Sequence, residues 1–381
     1  MLAMAATKIT RKPTNSHLPM PVKSRLETVA MVAMTAKMPA VPPNAVITSE
    51  APSHLVSKMR ASFQVLAPLL VRTGLARVGI PGGCSIGQRP IDLHQKGITA
   101  LGAMMRNDGG IVEASGSELH GARVYLDFPS AGATAQIMMA ATLILGSTTI
   151  ENAASEPEIQ DVARLLNKCG ARIKGAGTDT IHIEGVSRLH GTEHSNIPDR
   201  IETGTLALAA LNTEGDVFIR GAVGGHCNAV LLKMQEIGAS VREDSDGIRV
   251  SSLRRPLRAQ DVVTMPYPGF PTDLQAQFMA LNCVAEGTGI VTETIFENRF
   301  MHVQELSTAV RYGIPIVMIV ANNQGWISIR DLQMAAFGED HAYATDFTAN
   351  GEVYTPDLCA IAAGFGCFTK RISRGDEVGA A

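Results

Sequence analysis

The chain has 381 residues, 45% of them hydrophobic, which suffices for roughly two domains with sizeable cores. A net charge of -3 and only 4% aromatic residues argue against a nucleic-acid surface with base-stacking platforms. No apolar run approaches the roughly 18 to 20 residues of a membrane-spanning helix.

The six cysteines (Cys84, Cys169, Cys227, Cys283, Cys359, Cys367) are scattered and form no C-x-x-C pair. That pattern suits a reducing cytoplasm and points to neither a zinc site nor a disulfide framework.

Residues 1–50 differ from the rest. Lys8, Arg11, Lys12, Lys23, Arg25 and Lys37 face one acid, Glu27, before Glu50, and prolines recur without a sustained apolar period. Such a leader is either a transit peptide or an unstructured or mis-joined segment.

A regular pattern starts near residue 54. Ser57 to Arg72 reads as a helix, with Met59, Phe63, Leu66, Leu69 and Leu70 near helical spacing. A strand follows over Ala76 to Ile80. Next comes the loop Pro81-Gly82-Gly83-Cys84-Ser85-Ile86-Gly87-Gln88-Arg89, and then a helix from Asp92 to Leu101. Two glycines free the loop backbone, so Cys84 can sit exposed near Arg89, whose guanidinium favours the reactive thiolate. The competing reading is a Gly-rich turn around an inert cysteine.

Helix ends then recur. Gly102, Gly170 and Gly238 each precede an alanine and are spaced by 68 residues. Gly74, Gly146, Gly215 and Gly287 form a second series, each ending a helix before a strand. Each unit reads helix, strand, helix, two short strands, and self-similarity at a fixed period marks repeated units of an α/β architecture. In one unit these are Ala133–Leu145, Thr148–Asn152, Glu158–Lys168, Ala171–Lys174 and Thr180–Glu184. In the next they are Glu202–Asn212, Asp216–Arg220, Ala229–Ile237, Ser240–Glu243 and Gly247–Ser251. A third unit opens a helix at Thr272, with Thr272 or Asp273 placed to cap it, then a strand over Gly289 to Thr294 and a helix over Asn298 to Arg311. The period then breaks. Ile314 to Ala321 is a continuous apolar run that reads as a parallel strand buried on both faces.

Five long motifs carry a resemblance. They are Pro81 through His94, Glu151-Asn152-Ala153-Ala154-Ser155-Glu156-Pro157-Glu158-Ile159, Pro198 through Thr205, Phe270 through Phe278, and Thr292 through Val303. Residues 56–305 closely resemble the UDP-N-acetylglucosamine enolpyruvyl transferases of peptidoglycan synthesis. The resemblance implies inverse α/β barrel-type domains of repeated βαβαββ units, here incomplete, with a first domain at 51–198 and a second at 199–304.

It also implies phosphoenolpyruvate and UDP-N-acetylglucosamine as substrates, no cofactor, no nucleic-acid or membrane partner, and a cytoplasmic enzyme. Cys84 matches the acid that protonates the methylene carbon of phosphoenolpyruvate, and Asp273 the acceptor of the sugar 3-hydroxyl proton. Arg89 matches an arginine on the phosphate or carboxylate of phosphoenolpyruvate. Asp92, Leu93, His94, Ser130 and Gly132 match positions around the uridine and diphosphate. Ile295 matches the residue whose backbone flanks the sugar nucleotide, and Arg60 and Arg299 match arginines lining the cleft. His94 alone also reads as an ordinary polar residue at a helix start, and the Met138-Met139 pair reads as core.

Two departures stand beside this. The family's early Gly-Ala-Lys-Asn-Ala segment, whose lysine reaches phosphoenolpyruvate, is not found before Arg60. After about residue 305 the family's remaining units, with two more cleft arginines, give way to other sequence. The missing contacts imply little or no turnover, at roughly 1.5–3 kcal/mol each.

Residues 305–381 resemble the cofactor-binding domain of thiamine-diphosphate enzymes of the acetolactate synthase type, a fragment of a parallel-sheet α/β domain. The resemblance lies in Gln304 through Pro315, Val320 through Trp326 and Asp357 through Cys367. Asn323 matches a magnesium ligand there, but the Gly-Asp-Gly that begins that motif is missing. A join at residues 301–306 is expected, and the alternative to an enzyme is a chimeric or truncated chain that at most binds the UDP-sugar.

Overall fold

The computed structural model describes residues 48–57, 60–81, 91–252, 256–296, 298–300 and 302. It also describes strands at 4–9, 29–30, 35–38, 317–320, 348–349 and 352–353, and single positions 359, 363 and 369.

In chain order the N-terminal strands are β1 (Met4–Ile9), β2 (Val29–Ala30) and β3 (Thr35–Met38). The next elements are α1 (Ser53–Val56), a 3-10 turn (Arg60–Val65), α2 (Leu66–Thr73), β4 (Leu75–Gly79), α3 (Asp92–Ala100), β5 (Met104–Asp108) and β6 (Ile111–Ser115). They are followed by β7 (Arg123–Tyr125), α4 (Ala131–Ala141), β8 (Ser147–Glu151), α5 (Pro157–Lys168), β9 (Arg172–Lys174), β10 (Thr180–Glu184) and β11 (Thr192–Ser195). Then come α6 (Arg200–Asn212), β12 (Asp216–Arg220), a 3-10 turn (Gly224–His226), α7 (Asn228–Glu236), β13 (Ser240–Asp244), β14 (Gly247–Ser251) and β15 (Val262–Val263). The last are a 3-10 turn (Thr272–Leu274), α8 (Gln275–Val284), β16 (Gly287–Thr292), β17 (Val317–Val320), β18 (Thr348–Ala349) and β19 (Glu352–Val353).

The repeat is visible in the sheets. β7-β8-β10-β9 has one parallel pair, β7 with β8, followed by two antiparallel pairs. β2-β12-β14-β13 has the same plan, with β2 from the N-terminal stretch as the parallel neighbour of β12. In β15-β16-β1-β17 the parallel pair is β15 with β16, and β1 and β17 fill the two antiparallel places. β4-β6-β5 keeps the antiparallel part, and Glu50 bridges β4 in parallel at Arg77. The helix-end glycines repeat as well: Gly102, Gly170 and Gly238 have φ of 92°, 101° and 105°, a region a side chain would strain.

Apolar side chains gather into two clusters. The first spans Val56 to Ile183, and the second spans Ala207 to Val291. In the first, α4 packs against α2, α3 and α5 and also meets β8 and β10. Most of its residues are buried, Met138 among them, as expected for core. In the second, α6 packs against α7, α8, β12 and β14.

Several elements differ from the sequence expectation. The helix expected from Ser57 becomes a 3-10 turn, and α2 starts only at Leu66. Pro68 is the reason: it lies in the first turn of α2, where its missing N–H costs nothing, whereas a helix from Ser57 would clash at that ring. α4 ends at Ala141, four residues before the expected Leu145. The apolar run after Ile314 contributes β17, which pairs antiparallel to β1 at the end of its sheet. It is not a parallel strand between two neighbours, because an apolar run does not by itself encode strand direction. The N-terminal stretch, expected to be unstructured, supplies three strands: β1 lies between β16 and β17, β2 adds at the edge beside β12, and β3 pairs with β11 in a two-stranded sheet. The helix expected over Asn298 to Arg311 lies mostly outside the described residues.

Candidate functional site

The predicted residues fall into two sets, one on each cluster. The first set surrounds the N-termini of α3 and α4. Asp92 opens α3 and is exposed, Leu93 is half-buried against the first cluster, and His94 is 7% exposed. His94 Nδ1 lies 2.8 Å from Gln136 Oε1, and Gln136 Nε2 donates to the Phe63 carbonyl at 2.8 Å. That second bond fixes which end of the Gln136 amide faces the imidazole. His94 Nδ1 therefore donates, which leaves Nε2 free to accept in the neutral ring.

Burial holds the His94 imidazole below its ordinary value of 6.5, against the raising effect of the Gln136 hydrogen bond; the Arg60 charge lowers it further and Asp92 raises it. Phe63 meets the ring edge-on at 5.3 Å between centroids.

Ser130 caps α4, its Oγ accepting from the Ala133 amide at 3.3 Å. Gly132 lies in the first turn, and a Cβ there would lie 3.0 Å from His94 Nε2 and 3.4 Å from Gln64 Nε2, so a side chain would crowd the imidazole. Gln64 Nε2 donates to the Gly132 carbonyl at 2.9 Å. The structure thus brings Arg60, His94, Ser130 and Gly132 together, beside exposed Asp92. This face sets the Arg60 charge beside the hydrogen-bonding groups of His94 and Ser130 next to a helix N-terminus, an arrangement that suits an anionic ligand.

The second set lies after β15, at the start of α8 and after β16. Asp273 Oδ1 accepts from Arg299 Nη2 at 2.8 Å, with the carboxylate half exposed and the guanidinium largely covered. Arg299 also lies 6.0 Å from the Phe296 ring centroid, and Ile295, the residue before Phe296, is half-buried. The expected cap role of Thr272 or Asp273 does not occur: neither helical turn there has a side-chain cap. Instead the Thr272 hydroxyl donates to Glu293 Oε2 at 2.8 Å, and Asp273 turns to Arg299. A charged partner outcompetes a backbone amide for the aspartate. The turn carrying Asp273 packs closely on α6, where a Cβ at Gly204 would lie 2.3 Å from Leu274 Cδ1.

Cys84, Arg89 and Asn323 lie outside the described residues. Of the remaining thiols, Cys227 is buried and pushed up to about 11 by desolvation, with the Glu243 charge adding to it, and burial also raises Cys169 and Cys283. Among the described residues, no group of three or more His, Cys, Asp or Glu could hold a metal ion, and no helix is long and apolar enough to cross a membrane.

The sequence reading missed Gln64, Gln136 and Glu293. Gln136 carried a signal, being a polar residue inside the apolar run Ala131–Ala141. Glu293 stood in a quoted motif without a role. The clusters also touch through polar groups that were not anticipated. Arg200 Nε lies 3.0 Å from Glu158 Oε1, its guanidinium lies 5.5 Å from the Tyr267 ring centroid, and Ser155 Oγ donates to the Tyr267 carbonyl at 3.4 Å. A small open depression beside this contact is lined by Arg200, His226 and Tyr267 and by none of the predicted site residues.

Comparison with known proteins bears on the family and the fold. The family model of EPSP synthase (3-phosphoshikimate 1-carboxyvinyltransferase) matches residues 26–336. The model of the thiamine pyrophosphate enzyme C-terminal TPP binding domain matches residues 298–381, so the two overlap across the expected join. UDP-N-acetylglucosamine 1-carboxyvinyltransferase 1 of Caldanaerobacter subterraneus subsp. tengcongensis is 56% identical over 257 residues, 68% of this chain and 62% of the relative. This chain thus spans less than two thirds of that relative's length. The crystal structure of the enolpyruvyl transferase NikO from Streptomyces tendae superposes with a TM-score of 0.59 at 24% identity, covering 68% of this chain and 62% of that one, and supports the fold. The chain belongs to the EPSP synthase (3-phosphoshikimate 1-carboxyvinyltransferase) family, a family of transferases.

Proposed function

We propose that this chain transfers the enolpyruvyl group of phosphoenolpyruvate to the 3-hydroxyl of UDP-N-acetylglucosamine, the first committed step of peptidoglycan synthesis, in the cytoplasm. The observation that carries the reading is the 56% identity over 257 residues to a relative of that name. The geometry supports it. An enol phosphate becomes electrophilic at the carbon bearing oxygen when its methylene carbon is protonated, and the attacking hydroxyl must lose a proton. Asp273, half exposed and steered by Arg299, is the base for the sugar hydroxyl. Cys84 is the acid and Arg89 the anion clamp. Asp92, Leu93, His94, Ser130 and Gly132 take the uridine diphosphate, Ile295 flanks the sugar, and Arg60 lines the cleft.

The carbon–oxygen bond forms as the methylene takes its proton. Phosphate then leaves with loss of a methyl proton, which restores the double bond. Paired acid and base assistance is worth roughly 10²–10⁴-fold. The two apolar clusters support a division into domains at 51–198 and 199–304, with a leader at 1–50 and the thiamine-enzyme-like fragment at 305–381.

A second reading is favoured by one observation, the absence of the Gly-Ala-Lys-Asn-Ala segment before Arg60. The chain then binds the UDP-sugar without turnover. Phosphate release with both substrates, run beside calorimetric titration of UDP-N-acetylglucosamine, separates the two. Release that needs both substrates supports the transferase, binding without release supports the second reading, and neither signal overturns both.

A further inference from the structure

Glu293 is the residue the chemistry above does not use and the structure invests in most. It follows β16 and is 1% exposed. Its Oε1 accepts from the Ile295 amide at 2.8 Å, the Phe296 amide at 3.1 Å and the Thr264 hydroxyl at 2.9 Å. Its Oε2 accepts from the Thr272 hydroxyl at 2.8 Å. All four are neutral donors, and together they fill the roughly four acceptor sites of a carboxylate.

The donors come from three segments. Thr264 follows β15, Thr272 immediately precedes Asp273, and Ile295 and Phe296 lead to Arg299. Thr264 extends the knot, because its hydroxyl also accepts from the Thr294 amide at 2.9 Å and its own amide donates to the Thr292 carbonyl at 2.9 Å.

Burying a carboxylate without a cation is costly, and a glutamine of the same shape would avoid that cost. Glutamine, however, offers one acceptor oxygen and one amide nitrogen. Its nitrogen would face either the three donors now on Oε1 or the Thr272 hydroxyl, which would have to turn from donor to acceptor, and in both cases the charge that strengthens the Oε1 bonds is gone. Only a carboxylate accepts on both sides.

We infer that Glu293 is a positioning residue that holds the Asp273 turn and the Ile295 backbone in one frame, so that the base and the backbone flanking the sugar keep a fixed separation. The inference rests on the transferase reading for its functional meaning. Its geometric content, a frame that loosens without the carboxylate, does not depend on that reading.

The test uses the full chain with Glu293→Gln and, separately, Thr272→Val, which removes one donor and leaves the buried carboxylate in place. Amide hydrogen exchange is read at Ile295 and Phe296 against Val217 and Ile219 on β12. Glu293→Gln is expected to speed exchange at 295 and 296 about tenfold or more while β12 stays protected. Thr272→Val is expected to act in the same direction to a smaller extent, and it keeps the inference testable if the first variant does not fold. Exchange unchanged in a folded variant overturns the inference, whatever is bound.

Calorimetry then compares UDP-N-acetylglucosamine with UDP. Loss of positioning is expected to weaken the UDP-sugar about tenfold and leave UDP unaltered, since UDP lies on the first set. An equal loss for both ligands would mark Glu293 as merely structural and overturn the positioning role. If the parent chain binds neither ligand, the transferase reading fails, and the frame then stands or falls on the exchange result alone.

Discussion

The sheet β7-β8-β10-β9 and the sheet β15-β16-β1-β17 have the same strand plan but are assembled differently. The first is drawn from one stretch, Arg123 to Glu184. The second takes its two antiparallel additions to β16 from Met4–Ile9, next to β16, and Val317–Val320, at the edge, both far from β15 and β16 in sequence. The unit therefore specifies a shape with four places, and the chain can fill the places locally or from a distance. Local filling closes short loops, whereas distant filling costs more chain entropy and leaves the sheet dependent on segments that also have other neighbours. The first cluster should accordingly be the more robust half.

The largest expected effect comes from opening a cavity in each core. Phe278 is fully buried and meets Phe270 edge-on at 5.3 Å between centroids. Phe278→Ala should cost about 3–5 kcal/mol, and Ile183→Ala in β10, also fully buried, about 2–5 kcal/mol. If the comparison holds, scanning calorimetry resolves two transitions, Phe278→Ala lowers only the earlier one, and Ile183→Ala lowers only the later one. A single transition moved by both variants would show that the Arg200, Glu158 and Tyr267 contacts weld the halves together.

The two halves also differ in how far the sequence disclosed them. In the first, strand 180–184 and the helix end at Gly170 follow directly from alternation and from a glycine that takes positive φ. The plan of the second half was legible only up to β16. Nothing in Met4–Ile9 announces that it will lie between β16 and β17, because strand partners distant in sequence leave no local signal.

The candidate site divides similarly. Asp273, Arg299 and His94 stood out through motifs, since charged and imidazole groups in long matching strings suggest chemistry. The roles of Gln136 and Glu293 emerge only from packing, because what each one bonds to is set by the tertiary approach of three segments. The cap expected of Thr272 failed for the same reason, a buried carboxylate having claimed its hydroxyl.

A smaller effect compares the helix caps of the two halves. Asp199 Oδ1 accepts from the Ile201 amide at 2.7 Å and from the Glu202 amide at 3.1 Å at the start of α6. Ser130 accepts one longer bond at the start of α4. Asp199→Ala should cost about 1 kcal/mol and shift the transition that Phe278→Ala shifts. Ser130→Ala should cost less and shift the other, as urea titration of the two variants would show. The reverse assignment would place α6 with the first cluster and dissolve the division.

The smallest expected effect is a pH dependence confined to the first half. Burial lowers the His94 pKa, but the Gln136 hydrogen bond and Asp92 pull the other way, so the net displacement is partly offset. A histidine depressed on folding is bound more readily by protons when unfolded. Its contribution is therefore complete above the ordinary value of 6.5 and is lost as pH falls from there through the lower folded value. His94→Gln removes the titrating group. The stability advantage of the parent over this variant, read from the later calorimetric transition, should be constant from pH 8 to about 6.5 and shrink below it. His226 and His302 are depressed by burial too, so the earlier transition loses stability in acid equally in parent and variant. A parent–variant gap that stays level down to pH 5 would mean that His94 binds protons equally in the folded and unfolded chain, so that burial does not depress it. The imidazole would then charge as readily in the fold as out of it, and the acceptor role of Nε2 beside Gly132 would be confined to pH above the ordinary value of 6.5.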